Sequence, residues 1–336
     1  MTSAPTVPVT TGPLLEVTGL SVRFDTEDGP VQAVDDVSFT VAPGEILAIV
    51  GESGCGKSVT AMSIPGLLPP RTSTVSGSVQ LAGTELLGLP ARRLQQVRGR
   101  EVSMVFQEPM TSLNPSFTVG RQITEVLRRH EHLGRGAAAG RALELLKLVG
   151  MPAPERRLGE YPHQLSGGMR QRVMIAIAVA CSPRLLIADE PTTALDVTVQ
   201  AGILDVMRGL RDRLGTAIVI ITHDLGVVAD IADRVVVMYA GRRIEQAGVD
   251  DLFTAPQHPY TRGLLAAVPR PGGRAAGTTR LAEIPGVVPS LPAALDRCTF
   301  AERCPRATQE CSASRPLLSE VRPGHLVACY HPGERP

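Results

Sequence analysis

The chain has 336 residues, which is enough for one large domain or two smaller ones with a packed core. Hydrophobic residues make up 43% and charged residues 20% of the sequence, values that are ordinary for a soluble globular protein. The formal net charge is +1, so no strong field favours a nucleic-acid or acidic partner. No apolar run approaches the ~20 residues of a membrane-spanning helix.

Residues 1–13 begin the chain without a basic region followed by an apolar one, so a flexible tail is predicted instead of a signal peptide. The protein is expected to be cytoplasmic. Any link to a membrane must then come through a partner chain.

Strands that alternate with helical patterns are predicted from residue 14 to about residue 250, which indicates an α/β domain. Apolar and polar residues alternate in 14–24 and 34–50, as in half-buried strands. Three short runs are almost entirely apolar, as in strands buried on both faces of a mainly parallel sheet: "EVSMVF" (101–106), "LLIAD" (185–189) and "AIVIIT" (217–222). A hairpin is predicted to turn near Gly241.

The stretch "GESGCGKS" (51–58) fits the phosphate-loop pattern G-x-x-x-x-G-K-[ST] between a predicted strand and a predicted helix. Glycines allow successive backbone N–H groups to face one anion, and the helix N-terminus adds its positive dipole end. Lys57 is expected to reach the β- and γ-phosphates and Ser58 to hold Mg²⁺. Lys57 is one of only two lysines among 34 basic residues, and a compact ammonium suits this position better than a planar guanidinium.

Two further segments point to the same chemistry. The apolar strand "LLIAD" delivers Asp189 toward a Mg²⁺ beside the phosphate loop, and Glu190 follows where a water can attack the γ-phosphate. In "LSGGMRQR" (165–172), two glycines at a predicted helix start provide a second anion-binding terminus. The chain therefore carries two separate sites for anions.

The order of these motifs resembles the ATP-binding subunit of an ABC transporter. The phosphate loop is followed by Gln107 in "VFQEP", then "LSGGM", "LLIADEP", "ALD" (194–196) and His223 in "ITHD". The resemblance implies an ABC-type P-loop ATPase domain over 14–250, with a RecA-like core, an antiparallel β subdomain and a helical subdomain at about 108–180. It also implies that two such domains face each other head to tail, so that the phosphate loop of one and the LSGGM segment of the other hold the same ATP.

Each matching position takes a role from this resemblance. Phe24 is expected to stack on adenine, although it also fits an ordinary strand core position. Asp196 is expected at the dimer seam. Gln107, Glu190 and His223 form the expected catalytic group, and Gln107 is also an expected Mg²⁺ ligand with Ser58 and Asp189. The remaining nucleotide-binding residues are Gly51, Ser53, Gly54, Cys55, Gly56, Lys57 and Val59 in the loop, and Ser166, Gly167 and Gly168, which clasp the γ-phosphate of the opposite site.

Several strings resemble the oligopeptide/dipeptide permease branch, which also contains nickel importers: "GESGCGKSVT", "FQEPMTSLNP", "HQLSGGMRQR", "ADEPTTALDVTVQ" and "QHPYTRGLL". The resemblance implies a peripheral subunit on the cytoplasmic face of the membrane that hydrolyses ATP to power uptake of di- or oligopeptides. Its implied partners are an identical or different second ATPase, two membrane subunits and, indirectly, an external binding protein. An importer ATPase for nickel or another small solute, and a soluble ABC ATPase that acts on nucleic acid or ribosomes, are the alternatives.

The C-terminal part changes in composition. Residues 251–297 form a Pro/Gly-rich extension, and 298–336 contain four of the six cysteines: Cys298, Cys304, Cys311 and Cys329. A reducing cytoplasm disfavours disulfides, and four thiolates suit zinc or an iron–sulfur cluster. The absence of C-x₂-C pairs favours the cluster over zinc, and the resemblance implies a [4Fe–4S] cluster with a structural role. Zinc and four free thiols are the alternatives, and His325 and His331 are alternative ligands. Cys55 and Cys181 are expected to be small buried residues.

Overall fold

The computed structural model describes residues 12–108, 112–193, 195–268, 284–289 and 291–333. Apart from Gly12 and Pro13, the N-terminal tail predicted at 1–13 lies outside the described residues. Within these ranges, no helix is long and apolar enough to cross a membrane.

An eight-stranded sheet forms the centre of the molecule, in the order β11-β12-β10-β9-β3-β8-β7-β6. Its strands are β3 (Ile46–Val50), β6 (Val102–Val105), β7 (Leu185–Asp189), β8 (Ala217–Ile221), β9 (Arg234–Tyr239), β10 (Arg242–Gly248), β11 (Ser319–Arg322) and β12 (His325–Val327). Strands β6, β7, β8, β3 and β9 run parallel, and every residue of β3, β7 and β8 is buried. The prediction of an α/β domain with strands covered on both faces is confirmed.

A second, four-stranded antiparallel sheet packs against one face of the central sheet, in the order β2-β1-β4-β5. It contains β1 (Leu15–Thr26), β2 (Gly29–Val41), β4 (Ser73–Leu81) and β5 (Thr84–Glu85). Burial alternates along the first half of β1, so one face of this sheet packs on the core, as the alternating pattern predicts.

Helices cover the rest of the sheet. They are α1 (Lys57–Ser63), α2 (Ala91–Val97), α3 (Val119–His130), α4 (Arg135–Leu148), α5 (Pro154–Arg157), α6 (Gly167–Ala178), α7 (Val197–Leu214), α8 (Leu225–Ile231), α9 (Val249–Thr254), α10 (Pro259–Ala266) and α11 (Gln309–Ala313). Helices α3, α4 and α6 contact one another. In α3, Val119, Ile123 and Leu127 are buried because they share one face at a spacing of four residues.

The C-terminal residues join the central sheet. After the predicted hairpin of β9 and β10, which turns at Ala240 and Gly241, strand β12 pairs antiparallel with β10 and β11 pairs with β12. Helix α10 is fixed at its start because the His258 side chain accepts a hydrogen bond from the Tyr260 backbone N–H at 3.0 Å. The end of the chain is therefore packed against the same sheet that carries the phosphate loop.

Candidate active site

The phosphate loop lies between the buried strand β3 and helix α1, as the motif requires. Gly51 (φ 149°) and Gly56 (φ 95°) adopt backbone conformations that side-chain-bearing residues rarely take. A Cβ atom at Gly51 would collide with the Met238 carbonyl oxygen, and one at Gly56 with that of Ala33. The two glycines therefore allow the loop to pass tightly against neighbouring backbone. Gly54 is also left-handed (φ 82°) but faces open space.

The Lys57 ammonium forms hydrogen bonds with the first residues of its own loop. Nζ donates to the carbonyl oxygens of Gly51 at 2.8 Å and Glu52 at 2.9 Å, and the side chain is buried. Cys55 is buried beside it, and this burial raises the pKa of the thiol. The buried ammonium is thus held by two carbonyl groups of the loop. Its contact with a phosphate bound by the loop stays a prediction.

A hydroxyl and a carboxylate meet at the start of α1. Ser58 Oγ donates to Asp189 Oδ1 at 3.0 Å, and Asp189 is buried at the end of β7. Burial raises the pKa of Asp189, against the hydrogen bond from Ser58, and the nearby charge of Glu190 adds to the rise. Hydroxyl and carboxylate oxygens are the ligands that Mg²⁺ prefers, so this pair fits the predicted ion.

Glu190 is the centre of a polar cluster. Its Oε2 accepts hydrogen bonds from Gln107 Nε2 at 2.9 Å and Thr193 Oγ1 at 2.8 Å, and its Oε1 lies 3.1 Å from His223 Nδ1. Burial opposes the charge of Glu190, but the hydrogen bonds from Thr193 and His223 outweigh it and lower the pKa of the carboxyl. Glu190 also has φ 47°, a strained conformation of the kind found at functional sites.

The Glu190 cluster and the first residues of the phosphate loop line one cavity of about 810 Å³, whereas Lys57, Ser58 and Asp189 are not among its described lining residues. Its described lining contains the loop residues Gly51, Glu52 and Ser53 and the polar residues Gln107, Glu190, Thr193 and His223. The C-terminal extension adds Gly286, Val287 and Val288 to the wall. Sequence reasoning missed Thr193 and these three residues. Thr193 lies three positions after Glu190 and could have been found by that spacing, whereas nothing in the sequence places 286–288 beside the loop.

Comparisons with known proteins agree with this geometry. A family model described as "ABC transporter" matches residues 34–193, and one described as "Oligopeptide/dipeptide transporter, C-terminal region" matches 244–311. The "Probable peptide ABC transporter ATP-binding protein y4tR" of Sinorhizobium fredii is 57% identical over 323 residues, which cover 96% of each chain. The chain belongs to the ATP-binding proteins of the ABC transporter family. It is an ATP hydrolase.

Other relatives in this ABC family also have names that refer to peptide transport. "Oligopeptide transport ATP-binding protein AppD" of Bacillus subtilis is 50% identical over 318 residues, which cover 94% of this chain and 96% of that one. "Oligopeptide transport ATP-binding protein OppD" of Mycobacterium tuberculosis is 55% identical over 318 residues. This chain spans 52% of the length of that protein.

A solved structure described as the "Dimeric structure of a post-hydrolysis state of the ATP-binding cassette MJ0796 bound to ADP and Pi" shares the fold. Its TM-score is 0.63 at 27% identity, and the match covers 70% of this chain and 98% of that chain. The ABC cassette fold predicted from the motifs is therefore confirmed.

The LSGGM segment of this ABC protein lies apart from the cavity. Ser166 begins α6, where its Oγ accepts from the Met169 backbone N–H at 3.4 Å, and Gly168 packs so closely on Val199 that a Cβ atom would not fit. Among the described residues that line the cavity, none comes from 166–168. Asp196 similarly begins α7, with Oδ1 2.9 Å from the Val199 backbone nitrogen.

Two further predicted nucleotide contacts, Phe24 and Val59, lie outside the lining of the cavity. Phe24, on β1, is partly buried against the hydrophobic core between the antiparallel sheet and the central sheet, and Val59, in the first turn of α1, packs against the same core. The adenine-stacking role of Phe24 stays a prediction.

The four C-terminal cysteines converge on one small cavity. Cys298, Cys304, Cys311 and Cys329 line it together with His258, Phe300 and His331 among others. Burial raises the pKa of three of these thiols, that of Cys329 to about 11. Among the residues described, however, no group of three or more His, Cys, Asp or Glu side chains is arranged to hold a metal ion. The predicted iron–sulfur cluster, and zinc as its alternative, are not supported by this geometry.

Proposed function

We propose that this protein is the ATP-hydrolysing subunit of an ABC importer that takes up di- or oligopeptides. The observation that carries the proposal is the single cavity in which the phosphate loop meets Gln107, Glu190 and His223. Relatives at 50–57% identity are described as peptide transport proteins, which favours peptides over nickel or another small solute. A soluble ATPase that acts on nucleic acid is not favoured.

The residues of the cavity and the nearby Lys57, Ser58 and Asp189 divide the chemistry between them. The loop amides and Lys57 hold the β- and γ-phosphates, while Ser58 and Asp189 would hold Mg²⁺, which neutralises phosphate charge when it is bound. Glu190 orients the attacking water and accepts its proton, because the lowered pKa keeps the carboxyl ionised at neutral pH and therefore able to accept, although it also makes the carboxylate a weaker base. His223 and Gln107 keep the Glu190 carboxylate aimed through the hydrogen bonds described above.

The second anion-binding segment serves the opposite subunit in this proposal. Ser166, Gly167 and Gly168 lie at the N-terminus of α6, where Ser166 and Gly167 are exposed, so this helix start can receive a nucleotide bound by another chain. The dimeric MJ0796 cassette, a structural neighbour, supports such an arrangement. The partner ATPase is either a second copy or a related chain.

Membrane attachment comes through permease subunits. ATP binding closes the paired ATPases and hydrolysis reopens them, and this motion drives two membrane subunits that receive peptide from an external binding protein. The protein is thereby placed on the cytoplasmic face of the membrane as a peripheral subunit.

We also retain, as a proposal, a metal centre in the four-cysteine module. The proposal rests on the four cysteines that line one cavity in a chain expected to work in a reducing compartment, although their thiols do not take an arrangement of metal ligands among the described residues. A [4Fe–4S] cluster is the proposed occupant and zinc the alternative. Iron, sulfide and zinc assays on anaerobically purified protein decide between them, and the absence of all three leaves four free thiols.

The function is tested by purification of the tagged protein from native membranes under anaerobic conditions. We expect two multi-span membrane proteins and a second ATPase to co-purify, and peptide to stimulate ATP hydrolysis when the complex and its binding protein are reconstituted in vesicles. Lys57→Ala is the matched control, because it removes the phosphate-binding ammonium. Co-purification of ribosomes or DNA in place of membrane subunits would contradict the transport role.

A further inference from the structure

The C-terminal module contacts the phosphate loop through one arginine. The Arg303 guanidinium forms a two-point ion pair with Glu52, in which Nη1 lies 2.7 Å from Oε2 and Nη2 lies 3.0 Å from Oε1. It also donates to the carbonyl oxygens of Pro285 at 2.7 Å and Ile284 at 3.1 Å. The Arg303 side chain is only 6% exposed, so water screens little of this pair from the module side.

Glu52 is the only acidic residue of the loop at 51–58, and it lines the ATP cavity. Its backbone is fixed on both sides, because its carbonyl oxygen accepts from Lys57 and its N–H donates to the Tyr260 hydroxyl at 2.8 Å. Glu52 therefore lies at the cavity where the proposed function places a polyphosphate. Without a counter-charge it would repel that anion, although the Glu52 side chain is 30% exposed and water screens part of the repulsion.

We propose that Arg303 is a positioning residue for ATP binding, which neutralises Glu52 and so allows the loop to accept the phosphates. Arg303 lies directly before Cys304, so the four-cysteine module supplies this charge to a site more than 200 residues earlier in the chain. A guanidinium suits the task, because its planar fork matches a carboxylate while its remaining N–H groups reach the 284–285 carbonyls. The inference rests on the proposed phosphate-binding role of the loop.

The test is the equilibrium binding of a fluorescent ATP analogue with Mg²⁺ to the full-length chain. Arg303→Met is expected to raise the Kd about tenfold, whereas Arg303→Lys, which keeps the charge, stays within about threefold of wild type. The decisive variant is the double substitution Glu52→Gln with Arg303→Met. It removes both charges and is expected to return the Kd to within about threefold of wild type.

A role limited to structural support predicts the opposite result, because the double variant also lacks the bonds from Arg303 to residues 284 and 285. A double variant that binds as weakly as Arg303→Met, or an Arg303→Met chain with wild-type affinity, therefore overturns the proposal. Arg297→Met is the matched control, since Arg297 pairs with the exposed Glu302 on the same module, and its Kd is expected to be unchanged.

Two further results separate the possible failures. If Arg303→Met does not fold, Glu52→Gln alone carries the test: it leaves the guanidinium charge beside the phosphates and is expected to lower the Kd about threefold, and a higher Kd overturns the proposal. A wild-type chain with no more affinity than Lys57→Ala overturns the proposed function of the loop itself. Normal wild-type binding with unaffected Arg303 variants overturns only this inference.

Discussion

At the scale of single residues, Glu190 combines features that a structural carboxylate does not need. It adopts a left-handed backbone conformation, and its two oxygens contact Gln107, Thr193 and His223. Such an arrangement aims the carboxylate before any substrate arrives. The energy stored in the backbone, on the order of 1–3 kcal/mol, is offset by these hydrogen bonds and by packing around β7.

Glu190→Gln is expected to lower kcat for ATP hydrolysis by at least about 100-fold and to leave ATP binding intact, because an amide keeps the shape but accepts no proton. Turnover and equilibrium ATP binding are measured on the same preparation. Glu155→Gln, at an exposed carboxylate that pairs with Lys147, is the control and should change neither quantity. Full activity in Glu190→Gln would show that another group activates the water.

At the scale of elements, the phosphate loop shows why two left-handed glycines are not equivalent. In the nucleotide-free chain, Gly54→Ala is expected to cost about 1 kcal/mol of unfolding free energy from backbone strain alone. Gly56→Ala is expected to cost roughly 3 kcal/mol or more, because its Cβ also meets the Ala33 carbonyl. Denaturant unfolding of the two variants measures the difference, and equal losses would contradict the close approach of the loop to β2.

A second element-scale feature joins the C-terminal hairpin to the sheet. The fully buried Glu245 carboxylate on β10 accepts from the backbone N–H groups of Gln257 at 2.6 Å and His258 at 3.0 Å, and its Oε1 lies 2.7 Å from His325 Nε2 on β12. Burial opposes the charge of Glu245, but these bonds outweigh it and hold the pKa of the carboxyl below its ordinary value of 4.5. The Glu245 carboxylate on β10 therefore holds both β12, through His325, and the start of α10, through the backbone of residues 257 and 258.

Glu245→Gln is expected to lower the free energy of unfolding by about 3 kcal/mol at neutral pH, because the amide turns a donor toward other buried donors. Since the folded-state pKa is lowered, this stability is present above about pH 4.5 and is lost as the pH falls through the folded-state value. Thermal unfolding of both chains from pH 7 down to pH 3 should therefore show a gap in Tm that narrows in acid. Glu144→Gln, at an exposed pair, is the control, and a gap that is constant with pH would contradict the assignment.

At the scale of the whole molecule, the proposed function requires two chains for a complete site, because the two anion-binding helix starts serve different nucleotides in it. Ser166→Arg is expected to leave ATP binding by the isolated chain within about twofold of wild type while it abolishes hydrolysis in the assembled transporter, because the segment acts on the opposite nucleotide. Lys57→Ala is expected to lose both. If Ser166→Arg weakens ATP binding by the isolated chain as much as Lys57→Ala does, both segments serve one site within the chain.

The sequence by itself determined the parallel α/β core, the phosphate loop and three of the polar groups that line the cavity with it, Gln107, Glu190 and His223. These features can be predicted from short stretches of sequence. A loop of fixed spacing follows an apolar strand, and the carboxyl ends of parallel strands lie at one edge of a sheet. Asp189, Glu190 and His223 could therefore be placed near the loop, because Asp189 ends β7, Glu190 follows it and His223 follows β8.

Only the tertiary structure decided which C-terminal residues reach the site. The contacts of Arg303 with Glu52, of His325 with Glu245 and of residues 286–288 with the ATP cavity join segments far apart in the chain. No periodicity or spacing encodes such contacts, because they depend on how the extension packs across β9 and β10. The same limit applies to the cysteines: their spacing suggested a metal centre, but whether four thiols around one cavity take the geometry of ligands is decided by the packing around them.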